Sequence, residues 1–219
     1  MRLTTAPGSR HDAALAARVR ADLDDPTYGV LDAGAAAVEI PTGSLLGRVL
    51  LESGWSVGES WTPLVRDLRE PVEPAPGVQV REVGPEEVAG ATAVHRSAFA
   101  STAFTPDRWR TLATGPAYAD ARGLLALDER DRPVAWVVVW SAGPSRPGLL
   151  EPMGVHAEHR GRGHGRAICL AAASALQQLG SSHALVCTPT AEVGAVATYG
   201  AAGYRRLPDR HDRSRPAAG

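Results

Sequence analysis

Residues 155–166 read Val-His-Ala-Glu-His-Arg-Gly-Arg-Gly-His-Gly-Arg, three glycines and three arginines within twelve positions. Just upstream, residues 149–155 have the apolar character of a strand. Downstream, Ala167, Ile168, Ala171, Ala172, Ala175, Leu176 and Leu179 recur at helical spacing. The segment is therefore a loop that runs into the first turn of a helix. Backbone N–H groups at such a place have no intrahelical partner and sit at the positive end of the helix dipole. Gly161, Gly163 and Gly165 let an anion approach the backbone closely. Arg160, Arg162 and Arg166 add forked cationic donors at the rim. The loop suits a phosphate or pyrophosphate. Two other phosphate sites are excluded: a P-loop needs Gly-Lys-Ser/Thr, and this chain has no lysine. A dinucleotide fingerprint counted from Gly163 and Gly165 would put its third glycine at Ile168, and residues 177–183 lack the acidic partner.

Working outward, residues 78–83 read as a strand. Pro85 opens a helix running to about Phe99, and Thr105 caps a second helix that starts at Pro106 and ends at Ala113. Strands over 123–127 and 134–140 flank the turn-like Asp128-Glu-Arg-Asp-Arg-Pro133, the pattern of a hairpin. Beyond the glycine loop and its helix come a strand over 183–187, a helix over 192–202 and a last strand over 204–207. The order predicts a mixed α/β sheet domain. Residues 69–77, with three prolines and a glycine, predict a stiff linker that separates residues 1–68 from the domain over 78–208. The polar, aperiodic residues 209–219 predict a frayed tail.

The 219 residues carry 23 basic and 24 acidic side chains, for a net charge of −1, with 44% hydrophobic and 21% charged residues. That is the composition of an ordinary globular protein, without the basic excess of a general nucleic-acid binder. No apolar run is long enough for a membrane helix, so neither nucleic acid nor membrane is an expected partner. The two cysteines, Cys169 and Cys187, cannot staple a chain of this size. They point to a reducing cytoplasm and to roles as small buried apolar residues. All 23 basic residues are arginine, and there is no asparagine.

With these elements in place, Arg160-Gly-Arg-Gly163-His164-Gly165 resembles the R/Q-x-x-G-x-G/A segment of the GNAT superfamily of acyl-CoA-dependent N-acyltransferases. Ala195, Tyr199, Gly203 and Tyr204 are similar to the family's closing A-x-x-x-Y-x-x-x-G-F/Y pattern, and the element order is the family's order. The resemblance covers about residues 78–208. It implies the GNAT fold, a mixed, mostly antiparallel sheet with flanking helices. It implies an N-acetyltransferase with acetyl-CoA as co-substrate, no metal, and direct transfer to a primary amine in a ternary complex. It implies that Met153, Gly154, Val155 and Ala157 lie along the pantetheine, that residues 160–166 hold the pyrophosphate, and that Tyr199 protonates the departing thiolate. The family often has asparagine where this chain has Glu192, which removes one expected contact.

Glu151 lies two residues before Met153 and four before Val155, so all three point to one face of the strand. A carboxylate there can take the amine's proton or bind the substrate. Glu-Pro-x-Gly at the start of the strand is also similar to tandem-domain relatives of the mycothiol synthase type. In residues 1–68, Ala36-Ala-Val-Glu-Ile-Pro41 and a helix to Gly54-Trp55 echo Ala184-Leu-Val-Cys-Thr-Pro189 and a helix to Gly203-Tyr204. The proline-to-glycine spacings are 13 and 14. The first 68 residues are therefore read as a partial GNAT-like unit without a CoA motif.

His156, His159 and His164 are spaced H-x2-H-x4-H on a turning loop, unlike a standard zinc site, and fit better as loop histidines near phosphates. Trp136 and Trp140 share parity with Val138, with Val137 and Val139 facing the other way. They pack a core or floor a substrate pocket. No G-x-S-x-G elbow is present. The alternatives to an enzyme are a catalytically silent acyl-CoA-binding module or an interaction protein, as monomer or homodimer. The sequence leaves the amine acceptor open.

Overall fold

The computed structural model describes residues 1–217. In chain order the elements are α1 (Ala13–Asp24), β1 (Ala36–Val38), α2 (Leu45–Glu52), β2 (Ser56–Asp67), β3 (Gln79–Glu82), α3 (Val88–Phe99) and α4 (Pro106–Ala113). They continue with β4 (Ala121–Leu127), β5 (Pro133–Ser141), β6 (Gly148–Val155), α5 (His164–Gln178), β7 (His183–Pro189), α6 (Val193–Ala201), β8 (Arg205–Arg206) and β9 (Arg210–Arg215). The chain divides into two compact units. One comprises Met1–Thr62, Pro189–Ala191 and the residues from Pro208 on; the other comprises Pro63–Thr188 and Glu192–Leu207. The division falls inside β2, earlier than the proline-rich stretch.

In the larger unit β3, β4, β5 and β6 form an antiparallel meander, and β6 pairs parallel with β7. The runs Leu124–Leu127 and Val134–Val139 are buried throughout, so this sheet is covered on both faces. On one face Val137, Val139 and Leu150 pack with Ile168, Ala172 and Leu176 of α5 and with Tyr199 of α6. On the other, Trp136 and Val138 pack with Val88, Ala91 and Val94 of α3 and with Trp109 of α4. The alternation read from the sequence across residues 136–140 is the one observed. Thr105 caps α4 through its hydroxyl, which accepts from the Arg108 N–H at 3.3 Å, and the β4–β5 turn closes on Asp128.

Three local readings change. Pro85 opens a turn rather than the helix. The Gly84 N–H donates to the Glu87 carboxylate at 3.1 Å and the Glu87 N–H to the Gly84 carbonyl, which delays α3 to Val88. Residues 69–77 carry no helix or strand, but Leu68 and Val72 are buried in the core. The Gln177 amide donates to the Leu68 and Glu70 carbonyls at 2.7 and 2.8 Å, so the start of this stretch is strapped to α5. Within β6, Leu150 pairs with Val139 and Met153 with Val137, which leaves one extra residue at the cis Glu151–Pro152 step, a bulge. Leu150 and Met153 consequently pack in the same core cluster although they are three apart. Strict alternation from Glu151 to Met153 and Val155 does not hold.

In the smaller unit β9 lies between β1 and the first half of β2, antiparallel to both. The residues expected to fray thus form a strand over 210–215; residues 218 and 219 lie outside those described. Its polar side chains find long-range partners. The Arg215 guanidinium donates to the carbonyls of Leu23, Asp32 and Gly34 and stands 5.4 Å above the Trp55 ring. The core here is Ala16, Leu23, Val38, Ile40, Leu46, Leu50 and Trp55. Helix α1 had no counterpart in the sequence reading. In the larger unit the second half of β2 neighbours both β7 and β8, the strands that flank α6. The arrangement β1–β9–β2 around α2 has the same form.

Candidate active site

Strands β6 and β7 pair only at Gly148–Ala184 and Leu149–Leu185. From Leu150 onward β6 has a strand partner on the β5 side alone, among the described residues. The His156 N–H donates to the Val134 carbonyl at 2.9 Å. By the alternation of an antiparallel ladder, the amides of Met153 and Val155 then face the open edge. A parallel pair that parts after two residues leaves a cleft with backbone donors along one wall.

The glycine loop follows directly. Ala157–His159 is a short 3-10 turn, Gly161 and Gly163 have φ of +74° and +83°, and α5 begins at His164. Those angles favour glycine. Gly163 is the N-cap of α5 and offers no side-chain acceptor to the first-turn N–H groups. Gly165 is glycine for want of room: a Cβ there would lie 2.8 Å from Thr198 Cγ2 of α6 and 3.3 Å from Val155 Cγ2. Gly154 is confined on the opposite face, where a Cβ would lie 2.6 Å from the Ala98 methyl of α3. The loop is thereby pressed between β6, α3 and α6.

The arginines divide. Arg160 donates to the Ala98 carbonyl at 2.9 Å, Arg166 to the Ala201 carbonyl at 3.0 Å, and Arg162 is exposed with no hydrogen bond or ion pair among the described residues. Two guanidinium groups thus close the C-terminal ends of α3 and α6 while standing beside the loop. Ser97 also holds the loop, accepting from the Ala157 N–H at 3.0 Å. Ser97, Ala98 and Thr198 were not legible in the sequence, because no local pattern links α3, about sixty positions away, or α6 to this loop.

Tyr199 is buried on α6 with its ring 5.9 Å from that of Tyr204, in the core cluster that Met153 and Val155 also join. Burial raises its phenol above the ordinary value, so the hydroxyl is protonated at neutral pH. Glu151 is exposed at the bulge, and its carbonyl accepts from the Trp140 indole at 2.6 Å. Glu192 caps α6 through its backbone carbonyl and makes no side-chain cap. Ring centroids of His156, His159 and His164 are 5.3 and 6.2 Å apart in succession. Among the described residues no group of three or more metal-ligating side chains is placed to hold an ion. Burial holds His159 and His164 below the usual histidine value, and hence neutral. Cys169 is a buried thiol pushed up to about 12, and Cys187 is half-buried. No helix among the described residues is long and apolar enough to cross a membrane. A cavity of about 310 Å³ between α5 and residues 74–80 is lined by aliphatic and small side chains together with Gln178, none of them titratable.

A sequence model described as the acetyltransferase (GNAT) family matches residues 91–204, just over half the chain. No curated protein matches in sequence. Among solved structures, a GCN5-related N-acetyltransferase from Sphaerobacter thermophilus is similar over 97% of this chain and 71% of its own, with TM-score 0.71 and 18% identity. A tandem GNAT protein from the clavulanic acid biosynthesis pathway is similar over 100% of this chain and 75% of its own, with TM-score 0.70 and 16% identity. A GCN5-related N-acetyltransferase from Kribbella flavida is similar over 84% and 68%, with TM-score 0.61 and 21% identity.

Proposed function

The chain belongs to the acetyltransferase (GNAT) family, an acyltransferase with a mixed, mostly antiparallel sheet, and from that premise we propose that it transfers an acetyl group from acetyl-CoA to a primary amine. The observation that carries this is the parting of β6 from β7 after Leu149, on the strand that leads into the glycine-rich loop and the start of α5. An extended thioester with a pyrophosphate at its far end fits that sequence of donors.

Acetyl-CoA supplies the activated acetyl thioester. The N–H groups of Gly163, His164 and Gly165 and the side chain of Arg162 receive the pyrophosphate, with Arg160 and Arg166 close by. The edge amides of Met153 and Val155 hold the acyl carbonyl, and one of them stabilises the negative charge that develops on its oxygen. The acceptor amine enters neutral and its nitrogen bonds to the carbonyl carbon as the carbon–sulfur bond breaks. Glu151 takes the proton lost by nitrogen, directly or through water. Tyr199 gives its hydroxyl proton to the departing sulfur, so the products are an amide and a thiol, and solvent restores both side chains. The reaction takes place in the cytoplasm on a small-molecule amine. The N-terminal unit is a partial GNAT-like module that binds no CoA. Its strand–helix–strand arrangement and its lack of an arginine-rich glycine loop support this.

Tyr199→Phe keeps the ring and removes the proton. With an accepted amine, kcat falls about 10²–10⁴-fold while acetyl-CoA affinity stays within about twofold. Unchanged turnover would remove the acid role.

A further inference from the structure

Aromatic residues are scarce in this chain and unevenly placed. Of two phenylalanines, five tryptophans and four tyrosines, one connected patch holds Phe99, Phe104, Trp109, Trp136, Trp140 and Tyr118. His95 of α3 is the seventh ring. Its centroid is 4.7 Å from Phe99, 4.3 Å from Phe104 and 5.3 Å from Trp136. Two nitrogens in this patch are buried without a partner, His95 Nδ1 and Trp136 Nε1. Trp55, Trp61 and Trp140 each donate their indole N–H to an oxygen. Trp136 is fully buried and does not. Buried donors are almost always satisfied, and leaving one unmade is costly, so an exception calls for a function.

The place of these nitrogens supplies one. Trp136 pairs with Gly154 on β6, and a Cβ on Gly154 would lie 3.7 Å from Trp136 Nε1 and 3.3 Å from Phe99. They border the strand on the α3 side, while Met153 and Val155 turn to the side of Tyr199. The outer wall is apolar and accessible: Phe99 is 47% exposed and Phe104 half-buried. We infer that His95 and Trp136 are the recognition end of the acceptor site, binding the hydroxyl of an amine whose body is apolar and packs on Phe99 and Phe104. The chemistry is complementary. An indole N–H only donates, a neutral imidazole with its proton on Nε2 accepts at Nδ1, and a hydroxyl both accepts and donates. Burial lowers His95 below the usual histidine value, in keeping with the neutral ring. This rests on the acyl-transfer reading above and adds the class of acceptor to it.

The test uses tyramine and phenethylamine, which differ by one hydroxyl, with the whole protein, acetyl-CoA and thiol release as the readout. Tyramine is expected to exceed phenethylamine in kcat/KM by about tenfold. In His95→Phe, which keeps a ring in the stack, the two come within about twofold of each other, with the melting temperature and acetyl-CoA affinity of the parent. In proton–nitrogen spectra tyramine moves the Trp136 indole resonance, assigned by its loss in Trp136→Phe. Equal use of both amines, a tyramine preference that survives in His95→Phe, an unmoved Trp136 resonance, or acetylation of spermidine but of neither aryl amine overturns the inference. Spermidine, a polycation without an apolar body, separates the failures. If spermidine alone is acetylated, acyl transfer stands and the aromatic site falls. If acetyl-CoA does not bind, acyl transfer falls, and a tyramine-dependent shift of Trp136 still supports the site.

Discussion

Gly165 touches more of the account than any other single position. Its missing side chain lets α5 start against both Val155 and Thr198. Gly165→Ala puts a methyl where no heavy atom fits, and overpacking of this kind costs about 1–3 kcal/mol. A lowered melting temperature together with weakened acetyl-CoA binding is the expected pair of readings; a variant matching the parent in both contradicts the packing described. The glycines of this loop were legible in the sequence because backbone freedom and close approach leave few other residue types. The arginines were legible as charge but not as geometry. Arg160 and Arg166 bond carbonyls 62 and 35 positions away, at helix ends that no local pattern locates.

At the scale of elements, the helix α5 and the strands around it followed from apolar spacing, since burial on known faces imposes periods of 3.6 and 2. Leu176 shows how closely they meet. It is fully buried, and a Cβ on Gly148 would lie 2.3 Å from its Cδ2. Leu176→Ala is expected to destabilise by about 2–5 kcal/mol. Gly148→Ala should also destabilise, by crowding. Chemical denaturation of the double variant should show less than the sum, because each change relieves the other; strict additivity would mean that the two do not meet. The bulge at Glu151–Pro152 escaped a reading based on alternation. Its one signal was Pro152 within a strand, a residue that belongs at edges and bulges. The bulge matters because it sets which side chains accompany Met153 and Val155, and so how Glu151 stands to the cleft.

For the whole molecule, the α/β architecture was legible from element order, whereas β9 was not. Arg-His-Asp-Arg-Ser-Arg has no strand propensity, and it pairs because β1, β2 and the carbonyls around Arg215 are waiting for it. Local pattern says little where long-range partners decide. Burial also links the fold to pH. His95, His159 and His164 all titrate below the usual histidine value in the folded chain. The unfolded chain takes up those protons first, so their contribution is complete above the ordinary histidine value and is lost as the pH falls below it. Asp67, held down to about 2 chiefly by its hydrogen bond from the Arg69 side chain, extends the same sense of change below about pH 4. Melting temperatures measured from neutral pH downward should fall accordingly; a rise on acidification to pH 5 would contradict the buried, neutral histidines. The proposed acyl transfer requires a single acyl-CoA site per chain, between the open edge of β6 and the start of α5. Calorimetric titration with acetyl-CoA tests this: saturable binding of one acetyl-CoA per chain, weakened by Gly165→Ala, is expected, and an absence of binding at millimolar acetyl-CoA would contradict it.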